Sequence, residues 1–485
     1  MDQDWKHCLK IKLDTTDIFF REKRWVRWAK LCVDIVALQV SLHLGWHLRS
    51  FLTRWLPLDL SQQDYGVLAT GLLLLPLGYW LARLYPGYGL TDVERLRRRL
   101  LTTIVFFMAF ITLNFLLNES GRSRGILLIT LVIALILPAI IQSLFRHMLL
   151  RRNLWGMPVI VLGAGVTGEH IVSALVKNPI LGYRPIAIFD DDRGKWGSSI
   201  AGVPVVGSLS KAAAYSGKAD CALIAIPKAG RERVVDLVRN LPFFNVIIVP
   251  DLIGLQSLWV ETRDLGGTIG LEIQKNLLLR RYRYLKSCMD YIIGIPLFLI
   301  CVPIFTLLAL WIMLVSPGNP FYCQEREGQG GRKFKVWKMR TMFPHAEKLL
   351  HEYLEKNAEA RQEWGQYFKL KADPRILPAV GTLLRKTSLD ELPQLWNVLR
   401  GEMSLVGPRP FPHYHLKQFD ESFLELRRSV MPGMTGMWQV NARSDGNLVV
   451  QETLDSYYIR NWSIWLDLSL LARTAQVVLS GKGAY

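Results

Sequence analysis

Four apolar segments open the chain, near residues 29–52, 67–85, 100–117 and 126–145. Each is close to the roughly 20 residues a helix needs to cross a hydrocarbon core. The connections between them alternate in charge. Arg21, Lys23, Arg24, Arg27 and Lys30 come at the start of the first segment, Arg95, Arg97, Arg98 and Arg99 lie before the third, and Arg146, Arg151 and Arg152 follow the fourth. The other two connections are poorer, holding Arg49 and Arg54 in one and Arg122 and Arg124 in the other. The positive-inside bias therefore predicts four transmembrane helices over residues 1–150 with both ends in the cytoplasm. Asp34, His43 and His47 interrupt the first segment and are expected to face neighbouring helices or the interface. The polar, mixed-charge Met1–Arg27 stretch predicts no cleavable leader.

The pattern changes after residue 150. Met157–Leu162 reads as a buried parallel strand, Gly163-Ala-Gly165-Val-Thr-Gly168 opens a helix behind it, and Pro185–Phe189, Cys221–Ile226 and Val246–Val249 are further strands between helical runs. This alternation predicts a small doubly wound, Rossmann-like α/β domain with its linker over 151–278. Gly163, Gly165 and Gly168 would permit a tight turn and the approach of a pyrophosphate to a helix N-terminus. Asp190-Asp191-Asp192 falls where a ribose-binding acid would stand. Close helix–strand packing explains the same glycines without any ligand.

A fifth apolar segment, Tyr291–Val315, is long enough to span but has the wrong flanks. Arg280, Arg281, Arg283 and Lys286 precede it, and Arg326, Arg332, Lys333, Lys335, Lys338 and Arg340 follow. Basic residues on both sides disfavour translocating either one. Pro296 and Pro303 each remove a backbone donor inside it. The expectation is a re-entrant helix broken at Pro303, with one kinked spanning helix as the alternative. Residues 279–485 then form a third, cytoplasmic domain. In it Ala346–Leu370 reads as a charged helix, and Trp462, Trp465 and Leu466–Leu479 as amphipathic helices at the interface.

Composition narrows the partners. The chain has 485 residues, 59 basic against 41 acidic, and 16 Trp. Because the bases gather beside apolar segments, anionic headgroups and phosphorylated substrates are expected, and no nucleic acid. Cys8, Cys32, Cys221, Cys288, Cys301 and Cys323 form no Cys-x-x-Cys pair, which predicts neither zinc nor a disulfide framework.

The candidate chemistry lies in Arg385-Lys-Thr-Ser-Leu-Asp-Glu-Leu-Pro-Gln-Leu395 and Gly401–Pro410. Helical neighbours point about 100° apart, so Asp390 and Glu391 suit different tasks, one nucleophile and one metal ligand. A carboxylate can attack phosphorus to give an acyl phosphate. Mg²⁺ is held by few carboxylates plus a substrate's phosphates. Lys338, Arg340, Arg385 and Arg409 could hold those phosphates. Ser388 and Glu391 also have capping-box spacing, and Pro393 is tolerated only in a first helical turn, so a structural reading exists beside the catalytic one.

Phe334–Met342, Arg385–Leu395, Asn397-Val-Leu-Arg-Gly401, Met403–Pro410 and Pro432–Gly436 resemble the bacterial sugar transferases, the monotopic polyprenol-phosphate phosphoglycosyl transferases. The resemblance covers about 280–485, and the preceding domains are similar to the family's long form, which initiates O-antigen and exopolysaccharide synthesis. Leu271–Leu277, Asn461-Trp462 and Gly483–Tyr485 look closest to members that transfer galactose phosphate to undecaprenyl phosphate. The resemblance implies that Asp390 attacks the sugar-bearing phosphate of a UDP-sugar and UMP leaves. The lipid phosphate then takes the phosphosugar. It implies Glu391 on Mg²⁺, Lys338, Arg385 and Arg409 on phosphates, Pro303 at the helix break, and Asp455 as a further family acid with no role assigned. It also implies a multi-pass protein of the bacterial inner membrane whose catalytic domain faces the cytoplasm. A homodimer through the N-terminal domains fits this organisation.

Two rival readings follow from other features. A membrane-anchored, NAD-dependent nucleotide-sugar dehydratase or epimerase would use Gly163–Gly168 and a Tyr-x-x-x-Lys pair, for which only Tyr282 and Lys286 offer a match, outside the α/β stretch. A non-catalytic scaffold would leave the Asp390-Glu391 pair and its arginines unexplained.

Overall fold

The computed structural model describes residues 3–52, 62–116, 124–227, 229–243, 245–250, 260–264, 269–273, 277, 279–357, 361, 370, 373–416, 418–441 and 448–480. The chain divides into two compact units, Met1–Gly254 and Leu255–Tyr485. The helical segments and the α/β sheet share the first. The second begins before the hairpin of β7 (Val260–Asp264) and β8 (Ile269–Ile273).

The first unit's helices are α1 (Gln3–Leu52), α2 (Gln62–Leu72), α3 (Leu75–Leu81), α4 (Asp92–Leu116) and α5 (Arg124–Arg151). The polar N-terminal stretch is thus helical and continuous with the first apolar segment. The second segment, expected as one spanning helix, is two short ones, because the chain turns at Leu73 and Leu74 and Pro76 sits in the first turn of α3. A proline there loses no intrahelical bond. Among the described residues, three helical stretches are long and apolar enough to cross a membrane, namely Trp25–Leu52, Gly125–Arg151 and Arg280–Val315. Asp34 does face neighbours. It is fully buried, bound at 2.6 and 3.0 Å by Arg99 and at 2.5 Å by the Tyr85 hydroxyl. His43 and His47 are exposed and touch each other at 3.1 Å.

The sheet of this unit has the order β3-β4-β2-β1-β5-β6, with β1 Met157–Leu162, β2 Tyr183–Phe189, β3 Ser199–Ile200, β4 Val203–Gly207, β5 Cys221–Ile224 and β6 Asn245–Ile248. All neighbours are parallel except β3 and β4. The four predicted strands are present, and β3 and β4 are additions. After β1 the glycine turn leads into α6 (Val166–Lys177), and after β5 comes α7 (Arg231–Asn240). Gly163 has φ +108°, and a Cβ on Gly168 would lie 1.9 Å from the Gly163 carbonyl, so both positions require glycine for the turn itself.

In the second unit α8 (Arg280–Val315) is one helix of 36 residues that runs through Pro296 and Pro303. No break divides it at Pro303, in contrast to the helix–break–helix expected from sequence. Each proline removes one backbone bond, and the surrounding turns keep the rest. Ile292, Leu299, Ile300, Leu307 and Leu314 are all more than three-fifths exposed. An apolar helix bare on several faces is covered by lipid or protein, not by water. Its C-terminal end is anchored by Leu308 and Ile312, packed with Met339, Leu377, Val380 and Leu384. Behind it β9 (Phe321–Glu327) pairs antiparallel with β10 (Lys333–Met339), and β11 (Ser404–Val406) pairs parallel with β12 (Gly433–Thr435).

Helix α8 is tied at depth to the rest of its unit by two buried acids. Asp290 accepts the amide of Leu405 in β11 at 3.1 Å. Asp467, fully buried on the Ile464–Ser480 helix, accepts Lys286 at 2.6 Å, Tyr458 at 2.8 Å and Trp462 at 2.9 Å. Trp462 is therefore core, 1% exposed, and not an interfacial side chain as its position suggested. The indole needed a partner for its N–H, and a buried carboxylate supplies one. Of the charged Ala346–Leu370 stretch, Ala346–Lys356 is a helix, and most of the remainder lies outside the described residues. Gly483–Tyr485 also lie outside them.

Candidate active site

The helix Val380–Thr387 carries Arg385 and ends where Ser388 takes the left-handed conformation, φ 57° and ψ 21°. For a residue with a Cβ this costs about 1–2 kcal/mol, the kind of local strain that collects at functional turns. One turn of 3₁₀ helix, Leu389–Glu391, follows. Pro393 then opens the helix Gln394–Leu399, whose Leu395 and Val398 are buried. The expected capping box does not form. Ser388 makes no side-chain cap, and the Glu391 carboxylate points elsewhere.

It points at two cations. Lys338 Nζ, from β10, donates to Glu391 Oε1 at 2.7 Å, and Arg409 Nη2, from the loop after β11, donates to the same oxygen at 3.1 Å. That loop leaves its strand at Gly407, where any Cβ would strike Met431 and Gly433 backbone at 2.7 and 2.8 Å. The Tyr458 hydroxyl donates to the Val406 carbonyl at 2.9 Å, which fixes the strand just before it.

The two neighbouring carboxyls are driven apart. Burial pushes Asp390 up, the charge of Glu391 adds to it, and Lys338 and Arg385 only partly oppose, so the group titrates at about 6. Burial also works against ionised Glu391, but the guanidinium of Arg409 and the ammonium of Lys338 outweigh it and hold the carboxyl at about 2. Between these values Glu391 is ionised while Asp390 holds its proton.

Lys338, Arg409, Asp390 and Glu391 are thus brought together, and Arg385 stands beside them. Arg385 Nε donates to Thr341 Oγ1 at 3.1 Å, and burial lowers its affinity for its proton. Arg340 is not part of the group. Its guanidinium donates to the Ser316 carbonyl, at the end of α8, and lies 3.5 Å from that of Pro317. Lys338 and Arg340 alternate as strand neighbours would, but β10 ends at Met339, so the shared face stops between them.

Three contributors carried no role in the sequence reading. Thr341 receives Arg385. Asp373 grips Arg375 through both oxygens, at 2.8 and 2.7 Å, and is held below the usual carboxylate range because Arg375 and Arg385 outweigh its burial. Asn397, fully buried, bonds the backbone of β10. A polar residue inside the apolar run Leu395-Trp-Asn-Val-Leu399 was the available signal for it. Asp455 receives Arg427 at 3.0 Å away from the carboxylate turn, a structural pair. Among the described residues no three His, Cys, Asp or Glu gather as a metal site.

The bacterial sugar transferase family matches residues 281–481, and a CoA-binding domain matches 85–250. A UDP-galactose-lipid carrier transferase of Erwinia amylovora is 32% identical over 79% of this chain and 81% of its own. The chain belongs to the bacterial sugar transferase family. An undecaprenyl-phosphate galactose phosphotransferase of Salmonella typhimurium is 34% identical over 80% of this transferase and 82% of that protein. A UDP-glucose:undecaprenyl-phosphate glucose-1-phosphate transferase of Escherichia coli is 30% identical over 67% and 68%. Membership sets aside the dehydratase or epimerase reading, and the geometry agrees. Lys286 of the supposed Tyr-x-x-x-Lys pair is buried on Asp467 in the second unit of the transferase. In the α/β sheet Asp190 is taken up by the glycine turn, accepting the Ala164 amide at 2.6 Å.

Proposed function

We propose that the protein transfers galactose-1-phosphate from UDP-galactose to undecaprenyl phosphate in two steps. Asp390 attacks the phosphorus that bears the sugar. The bond from that phosphorus to the bridging oxygen breaks, and UMP leaves with the electron pair. An oxygen of the lipid phosphate then attacks the same phosphorus, and the Asp390 carboxylate departs, leaving undecaprenyl diphosphate-galactose. The observation that carries this reading is the opposed tuning of the pair, a basic carboxylate beside one held ionised by two cations. A more basic carboxylate is the better nucleophile, and a pKa near but below working pH keeps most of it ionised.

Mg²⁺ fits the donor set. Lys338 and Arg409 both bond Oε1 of Glu391, which leaves Oε2 of an ionised carboxylate for a metal that takes most of its other ligands from phosphates and water. When bound it would neutralise developing charge on the diphosphate. Arg385, Lys338 and Arg409 would hold phosphate oxygens.

The rest of the reading concerns placement. The charge asymmetry and the apolar helices support a multi-pass protein of the bacterial inner membrane with its catalytic residues on the cytoplasmic side. The exposed apolar faces of α8 and the bases at both its ends support its insertion in lipid, which would keep the site at headgroup depth. Gly163, Gly165 and Gly168 mark where a nucleotide would approach the α/β sheet, with packing of the turn alone as the equal alternative, a homodimer suits the first unit, and the product would start O-antigen or exopolysaccharide synthesis.

A panel of UDP-sugars with undecaprenyl phosphate and Mg²⁺ tests the reaction. UMP release with UDP-galactose, lost in Asp390→Ala, is expected. Release with UDP-glucose or an N-acetylated UDP-sugar alone would favour the same reaction on that donor, and the Escherichia coli relative speaks for glucose. Full activity in the variant would overturn the nucleophile.

A further inference from the structure

Asn397 has no exposed surface, yet it is polar and lies in a six-residue helix between buried Leu395 and Val398. A buried carboxamide is tolerated only where its hydrogen-bonding groups are satisfied. Here both ends are used. Nδ2 donates to the Lys335 carbonyl at 2.8 Å and to Glu402 Oε2 at 2.7 Å, and Oδ1 accepts the Trp337 amide at 3.1 Å. The Asn397 carbonyl in turn accepts the amides of Glu402 at 3.0 Å and Met403 at 3.3 Å.

The two bonds to β10 have a definite geometry. Lys335 C=O and Trp337 N–H bracket Val336 on the edge of β10 that β9 does not pair. A residue of an added parallel strand would bond that same couple, accepting from one side and donating to the other. The side-chain amide of Asn397 completes the edge as a single residue of such a strand would. It does so one residue before Lys338 and six residues after Glu391. The clamp thereby fixes the same two pieces of chain that the Lys338–Glu391 pair joins at 2.7 Å.

We infer that Asn397 is a positioning residue for the transfer reaction, an amide clamp that sets the register of β10 against the carboxylate turn so that Lys338 reaches Glu391. The inference rests on the function proposed above and adds a residue to it. Glu402 belongs to the clamp as the group that orients the amide. Its carboxylate takes the second Nδ2 hydrogen and so directs Oδ1 to Trp337. Arg400, 3.4 Å from the other oxygen of Glu402, keeps that carboxylate in place.

A residue that only maintains the fold and one that acts through Lys338 differ in a double-mutant cycle. UMP release is measured for wild type, Asn397→Ala, Lys338→Gln and the pair, in the full-length protein, with thermal unfolding followed in parallel. Each single substitution is expected to lower kcat by roughly 10- to 100-fold, the scale of one misplaced transition-state contact. The second substitution is expected to add less than about threefold to the first. The non-additivity should appear in kcat and not in thermal unfolding, a split that a purely structural role would not produce. Glu402→Gln, which keeps the shape of the clamp, should give a smaller loss that is likewise non-additive with Lys338→Gln. Should Asn397→Ala fail to fold, this variant carries the test alone, in a cycle with Lys338→Gln. Multiplicative losses in kcat would overturn the clamp. Wild type that releases no UMP would instead overturn the proposed reaction and leave the geometry of the clamp as it stands.

Discussion

Asp390 and Glu391 are consecutive residues of one 3₁₀ turn, yet their carboxyls titrate at about 6 and about 2. The cause of the split is positional. Both are half-buried, but Glu391 has two cations on one oxygen. Between these values Glu391 is ionised while Asp390 still carries its proton. The rate of UMP release should therefore rise as pH increases through about 6 and reach a plateau near neutrality, since protonated Asp390 cannot attack phosphorus. A kcat/KM profile from about pH 5 to about pH 8 checks this. A profile flat across that range would show that no group of this kind limits the step.

Lys338 lowers the pKa of both carboxyls, so its removal should act on both. Lys338→Met is expected to raise the acid limb above 6 and to lower kcat by roughly 10- to 100-fold, as Lys338→Gln should. Arg409→Met touches Glu391 but is not among the groups that shift Asp390. It should lower the rate while leaving the acid limb nearer its wild-type position. Parallel pH profiles of the two variants separate these outcomes.

Glu391→Gln keeps the size of the side chain and removes the charge that a divalent cation needs. In wild type a chelator should abolish UMP release and added Mg²⁺ should restore it. In the variant the Mg²⁺ concentration for half-maximal rate should rise on the order of tenfold or more, since a carboxylate ligand has been replaced by a neutral one. An unchanged Mg²⁺ dependence would remove Glu391 from the metal site.

The carboxylate turn was legible because its residues sit in a short, dense run, where charge, Ser388 and Pro393 all point to a turn between helices. The four main strands of the α/β sheet were legible for a similar reason, as short apolar runs punctuated by glycine. The break at Leu73–Leu74 was not, because a run of leucines has the same hydropathy whether the helix continues or turns. Arg340 was misplaced because a basic residue two positions from Lys338 carries the same charge in sequence whether it faces a phosphate or, as here, a carbonyl at the end of α8. Trp462 was misread because an aromatic near a basic, apolar stretch suits an interface and a core equally. What decided it was Asp467, a carboxylate five residues on, buried with Lys286 from 181 positions earlier. Contacts at that separation leave no local pattern.

Arg427 and Asp455 pair at 3.0 Å with both side chains almost wholly buried, and Arg427 also stacks 4.3 Å over Phe411. Their removal should not be symmetric. Burial has already pushed Asp455 up to about 6 despite the arginine. In Arg427→Met the stranded carboxyl can take a proton and become neutral. In Asp455→Asn the stranded guanidinium cannot lose one. Asp455→Asn should therefore cost about 3–5 kcal/mol, and Arg427→Met less. The sign with pH also differs. Arg427→Met raises the folded-state pKa of Asp455 further above its unfolded value, so the folded state binds the proton more tightly. Its stability should recover as pH falls from about 8 towards about 5.5, and that of Asp455→Asn should show no such recovery. Thermal unfolding of both variants and wild type at the two pH values measures the difference, and equal losses at both would show that the pair does not titrate.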